Sequence, residues 1–294
     1  MTATPQGYPD LPASDSFVSP SADSPGGQSR RSGGLRPARP VLTYLWLDLY
    51  RSLREPANLF FVIAFPLTMY LVFGRLNASA GEYGPHAHGN VSASVMLAMA
   101  CFSACLGATS ASAAAAVEQS AGWGRQMAVT ARGLRGYLVV KTGTAVGTAA
   151  LPVVVVLAAG ALTDSQMDGW VWAVSPLICP LGVLPFVLWG LAAGMWLPSS
   201  ASIGIATSLV SLFAFIGNTF MPLTHTLLTI SRFTPMYGST ALARWPLGEG
   251  WTYVSDRPVG VQDALWMPLT NLVAWTLFFG LLVIGARRRA TRRR

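Results

Sequence analysis

The chain has 294 residues, of which 52% are hydrophobic and only 11% charged, with a mean hydropathy of +0.46. A soluble globular chain is about 25% charged, so these values exclude an ordinary soluble protein and point to one that is integral to a membrane. The net charge of +8 raises nucleic acid as a partner, but the distribution of that charge, given below, needs none.

Residues 1–40 are rich in Pro, Ser and Gly and contain no apolar run. They lack the hydrophobic stretch of a cleavable signal peptide and bury too little apolar surface to fold alone. A disordered cytoplasmic tail is expected. Val41–Glu55, VLTYLWLDLYRSLRE, then places Leu42, Leu45, Leu49 and Leu53 at helical spacing, with Trp46 and Tyr50 beside them. Asp48, Ser52 and Glu55 fall on or near the opposite side, and Arg51 and Arg54 are able to snorkel. The segment is too short and too charged to cross a bilayer. It predicts an amphipathic helix in the inner interface, ended by Pro56.

Six apolar runs follow: Asn58–Gly74, Val91–Val117, Tyr137–Leu162, Trp170–Trp196, Ala201–Leu223 and Leu265–Ala286. Crossing a hydrocarbon core of about 30 Å takes roughly 20 such residues in a helix. The first run is short and bent or broken by Pro66; the second owes much of its length to small residues, GATSASAAAAV. Pro152, Pro176, Pro180 and Pro185, with the pairs Gly143/Gly147 and Gly190/Gly194, fit ordinary close packing or a dimer contact. Cys101, Cys105 and Cys179 all fall within runs, as buried thiols rather than a disulfide framework. Arg75–Asn90 is a polar loop. Thr224–Gln262 is partly apolar and predicts short helices that re-enter the membrane or cap the bundle.

With both termini inside, sixteen of the 20 basic residues lie inside; only Arg75, Arg232, Arg244 and Arg257 lie outside, while the 12 acids divide evenly. This follows the positive-inside rule, and the terminal RRRATRRR suits the anionic inner leaflet. The predicted fold is an all-α integral membrane protein with six transmembrane helices, cytoplasmic N- and C-termini, and an N-terminal amphipathic elbow helix.

Several chemistries are excluded. A phosphate-binding P-loop needs Gly-x-x-x-x-Gly-Lys-Ser/Thr, yet Val140 stands before Lys141, the one lysine of the chain. There is no HExxH, GxSxG or pair of catalytic carboxylates. His86-Ala-His88 fits a surface metal ion or simply a polar loop. No acid falls within a run, which weakens a proton-coupled mechanism.

The stretch EQSAGWGRQMAVTARGLRGYLVVK, Glu118–Lys141, interrupts two charge-free runs. It is the one sizeable inside segment between spans. Glu118, Arg125, Arg132 and Arg135 are placed to set register with a docked partner and Trp123 to anchor it; otherwise the charges act only on topology.

The order of elements, with the motifs Glu-x-x-x-Gly-Trp-x-Arg-Gln at Glu118–Gln126, Tyr-Leu-x-x-Lys at Tyr137–Lys141, GNTFMPL at Gly217–Leu223 and Phe-Thr-Pro-Met-Tyr at Phe233–Tyr237, resembles the type-2 permease family of ABC transporters. Thr130-Ala131-Arg132 departs from the Thr-Pro-Leu common there. The resemblance implies a transmembrane domain over residues 41–288, with the elbow helix at 41–55, and a basic cytoplasmic tail at 289–294. It implies an ATPase-coupling loop (Glu118, Gly122, Trp123, Arg125, Arg132, Arg135), an elbow (Trp46, Asp48, Arg51, Arg54) and an extracellular-end motif (Gly217, Pro222, Pro235, Tyr237). It implies no catalytic residue, metal or cofactor in this chain. The partners would be a separate ATPase subunit carrying ATP and Mg, and a second permease chain, identical or not. Export across the cell membrane of a drug or secondary metabolite follows, and the arginine-rich composition suits a bacterial, GC-rich genome. The rival readings are a stand-alone secondary transporter or channel, and a membrane scaffold or sensor, which needs a folded cytoplasmic module.

Overall fold

A computed structural model describes residues 39–54, 56–77, 79, 81–84, 86–121, 133–197 and 199–292. The expected tail at 1–40 lies outside these residues except for its last two positions, which begin α1. In chain order the elements are α1 (Arg39–Arg54), α2 (Pro56–Leu59), a π-helical turn (Phe60–Ala64), α3 (Phe65–Leu76), α4 (Val91–Ser120), α5 (Gly133–Ala161), α6 (Gly169–Trp196), α7 (Ala201–Ile216), α8 (His225–Ser231), α9 (Pro235–Gly248), β1 (Trp251–Val254), β2 (Arg257–Gln262) and α10 (Trp266–Arg292).

The protein is mostly helical, and among the described residues four helices are long and apolar enough to cross a membrane: α4, most of α5, α6 and α10. The other two expected spans are shorter, at Phe60–Leu76 and Ala201–Ile216. Pro66 does not break the first of them. The wide π turn ahead of it, in which the Phe65 N–H bonds to Phe60 O, takes up the clash a proline ring makes with the preceding turn. The run expected over Ala201–Leu223 ends its helix at Ile216, because Gly217 caps it and Asn218 takes a left-handed φ of 56°. Its sixteen residues reach only about 24 Å. The last helix runs on to Arg292, so most of the expected basic tail is helical. All-α also needs one amendment, an antiparallel hairpin of β1 and β2.

The bundle is organised around α4. Its apolar stretch is 100% buried, against 33% for α5, 39% for α6 and 22% for α10. It packs on α3, α5, α6, α7 and α9. Such closeness needs small residues, as it does between helices in lipid. A Cβ at Gly107 would lie 2.3 Å from Thr148 O, one at Gly190 2.4 Å from Thr109 O, and one at Gly194 2.5 Å from Ala113 O. The Gly190/Gly194 pair therefore seats α6 on α4 within the chain. Hydroxyls tie the same helices: Thr109 donates to Phe186 O at 3.3 Å, and Ser239 of α9 donates to Gly182 O at 2.7 Å. The cysteines are buried and free.

Outward, α5, α6, α7 and α10 present large apolar side chains that are half or more exposed, among them Val154, Leu177, Phe215, Leu277 and Leu281. A water-soluble surface does not carry this much; a lipid-facing one does. The helices alternate in direction, which creates an elbow end (α1, the ends of α4, α6 and α10) and a hairpin end (the loops around α8, α9, β1 and β2).

Candidate functional site

At the hairpin end, α9 begins with Pro235 in its first turn, where a missing N–H costs nothing. This turn buries Tyr237, whose hydroxyl donates to Asp263 Oδ2. Arg232 Nη2 donates to Asp263 Oδ1, so both oxygens of this buried carboxylate are taken. Burial, and then the bond to Asp263, push the Tyr237 hydroxyl above its ordinary pKa. From α10, Asn271 Nδ2 donates to Arg232 O at 2.7 Å and Thr234 O at 3.0 Å, while Trp275 Nε1 donates to Phe233 O at 3.1 Å. The loop between α8 and α9 is thus pinned to α10. At the hairpin tip, Asp256 accepts from His225 N and so holds the start of α8.

Gly217 is required by its surroundings: a Cβ there would lie 2.6 Å from Phe213 O and 2.8 Å from Met236 Cβ. Arg244, on α9, reaches across the bundle to carbonyls. Its Nε donates to Ser94 O at 3.1 Å, Nη1 to Asn218 O at 2.9 Å and Nη2 to Thr219 O at 3.3 Å. Gly217, Asn218, Tyr237, Arg244, Trp251 and Asp263 line one small cleft, with room for about one water. A cleft this small is not a passage through the protein.

His88 forms a second polar junction at the same end. Its Nδ1 meets Asp168 Oδ2 at 2.8 Å and its Nε2 meets Glu249 Oε1 at 3.4 Å. Its backbone bonds to Leu247 O and to Asp168 N. The Asp168 bond, followed in size by burial acting the other way, leaves its pKa raised. The two carboxylates take opposite ring nitrogens, so they do not converge on one ion. Among the described residues no group of three or more His, Cys, Asp or Glu is placed to hold a metal.

At the elbow end, α1 lies along the first half of α5. Leu49 fills the space beside Gly147, where a Cβ would lie 3.0 Å from Leu49 Cδ1. Asp48 is not on the outer side of the elbow: it turns toward α5 and accepts from Thr144 Oγ1 at 2.8 Å. Thr144 is buried and Asp48 half-buried, so this bond is a firmer joint than an exposed one. Trp46, Arg51 and Arg54 are exposed, and the Arg54 guanidinium lies 4.7 Å over the Tyr50 ring. Trp196 bonds through Nε1 to Leu282 O at 3.1 Å and lies under Arg289. Glu118 is half-buried in the last turn of α4. Gly122, Trp123, Arg125 and Arg132 lie outside the described residues, and Arg135 belongs to the first turn of α5.

The structure thus brings Gly217 and Tyr237 into the cleft lining, whereas Pro235 and Pro222 lie outside that lining. Sequence reasoning missed Arg232, Arg244, Asp263 and Asn271. One signal was present: Arg244 sits inside the otherwise apolar ALARWPL. Among known proteins, no family profile matches this chain and no curated sequence matches it.

Proposed function

We propose that the chain is the membrane-spanning permease subunit of an ABC exporter, driven by a separate ATPase subunit. In this reading all six expected helices cross or nearly cross the cell membrane, the elbow end faces the cytoplasm, and the hairpin end faces outward. The observation that carries the reading is α4. Its apolar stretch is buried on every side and its last turn carries Glu118 to the elbow end, where α1 packs on α5; the charged segment follows Glu118 in sequence. A push on that segment reaches the centre of the bundle directly. The segment then acts as a coupling element seated in an ATPase groove, with Trp123 as anchor and Arg125, Arg132 and Arg135 as register-setting charges. Two permease chains enclose the path, and the cargo is apolar or amphipathic. The buried carboxylate Asp263 lies at the hairpin end, neutralised by Arg232, rather than in mid-span where a proton relay needs one.

The test is the variant W123A/R125A in the full chain. Membrane insertion and thermal midpoint stay as in the wild type, while retention of the ATPase on the tagged chain is lost. Full retention of the ATPase by this variant refutes the coupling assignment.

A further inference from the structure

The cleft at the hairpin end holds one positive charge with no carboxylate left to neutralise it. Arg244 spends Nε, Nη1 and Nη2 bonds on three carbonyls, Ser94 O, Asn218 O and Thr219 O. A guanidinium has five N–H donors, so two remain. Carbonyl dipoles orient a cation but leave its charge in place, and among the described residues Arg244 makes no ion pair. The one carboxylate lining the cleft, Asp263, has both oxygens engaged by Arg232 and Tyr237. The nearest other acid along the chain, Glu249, is held by His88 at 3.4 Å.

From this arrangement we propose that Arg244 and its cleft bind an anionic oxygen group: a carboxylate, sulfate or phosphate. The chemistry is that of charge-assisted guanidinium–oxyanion bonds in a half-buried, weakly screened place. The size agrees, since space for about one water admits one oxygen of such a group. Gly250, at a φ of 89°, brings bare backbone to the cleft wall. Trp245 and Trp251 add aromatic walls against which the apolar part of an anionic amphiphile rests. Two sources share this chemistry, a free oxyanion and the headgroup of an anionic lipid. The inference concerns the hairpin end alone and stands or falls apart from ATPase coupling at the other end.

The experiment uses the full chain in detergent, in Tris chloride buffer free of phosphate, sulfate and carboxylates. The thermal midpoint is followed during titration with inorganic phosphate, and separately in mixed micelles containing phosphatidylglycerol or phosphatidylcholine. The wild type shows a saturable rise with at least one anionic probe and none with phosphatidylcholine. Phosphate acting by itself identifies a free-ion site; phosphatidylglycerol acting where phosphate does not identifies a headgroup site. R244Q weakens the apparent affinity about ten- to a hundredfold, as loss of a charged hydrogen bond does. R244Q also loses the three carbonyl bonds and is at risk of misfolding. A second variant therefore leaves Arg244 intact: A241E places a carboxylate on the same face of α9, one turn before it. A241E abolishes the response by supplying an internal counter-ion, whereas A241Q keeps it. No rise with either anionic probe, or an unchanged rise in A241E, overturns the proposal.

Discussion

Replacing Asp263 by Asn tests whether the hairpin end is held by a buried ion pair. The Asp263 side chain is 4% exposed and that of Arg232 25%. Asn keeps the shape and its Oδ1 still accepts from Tyr237, but its Nδ2 then faces the Arg232 guanidinium, so the change removes the charge together with the acceptor for Arg232. Stranding one partner of a fully buried pair costs about 3–5 kcal/mol. Water reaches a quarter of Arg232, which lowers the expectation to about 2–3 kcal/mol. For a chain of this size that corresponds to a drop of about 5–10 °C in the unfolding midpoint. An internal control exists at the same end: Arg75 and Asp164 pair at 3.3 Å, with side chains 68% and 43% exposed. Their separation in D164N costs at most about 1 kcal/mol. The double variant R232Q/D263N removes the stranded charge and recovers part of the loss. The assay is thermal unfolding of the purified chain in one detergent at one pH. A D263N shift no larger than that of D164N, or no recovery in the double variant, refutes the reasoning.

G190A forces a methyl group against Thr109 O and Ser112 Oγ and destabilises by about 1–3 kcal/mol, whereas G204A, which meets nothing within 4 Å on α7, is neutral or stabilising; equal midpoints for the two contradict the central packing of α4. The raised pKa of His88 means that the folded state holds its proton more tightly than the ordinary 6.5. Its contribution is therefore full below that value and fades as pH rises through the raised one. Hydrogen exchange in the Gly81–Val91 loop is then better protected near pH 5 than near pH 8, by about the span over which a histidine titrates. H88Q flattens this dependence, and a wild-type profile identical to that of H88Q contradicts a role for the His88 proton in this junction.

Hydropathy made the six helical segments legible because each is a long apolar run closed by charge, Gly or Pro. Their ends agree with the structure to within a few residues, except at Ile216 and at the last helix, which runs on to Arg292 instead of ending at Ala286. At Ile216 the run stays apolar through GNTFMPL, and the stop comes from Gly217 as a cap and the left-handed Asn218. The hairpin was hidden for a related reason. WTYV and RPVGVQ are short, and their register shifts between Thr252 and Val254, on the side opposite the stretch of β2 that contains Gly260, at a φ of 77°. The central place of α4 was present only indirectly: a helix buried all round has no amphipathic period, and its many Ala, Ser and Gly residues were the remaining trace. Of the site, Gly217, Pro235 and Tyr237 were readable from two short motifs. Asp263 was not, since its partners Arg232 and Tyr237 lie 31 and 26 positions away. No local pattern carries such a contact. Asp48 misled for the same reason: helical spacing put it on the outer side of the elbow, but its partner Thr144 stands on a different helix.

The most direct measurement of the central claim is a gentle-detergent purification of the tagged full chain from its native membrane, with identification of what accompanies it. A P-loop ATPase recovered in near-equal amount is the predicted result. The chain recovered alone, and still carrying out gradient-driven flux in vesicles, contradicts the permease account and leaves the charged segment after α4 as a topology signal only.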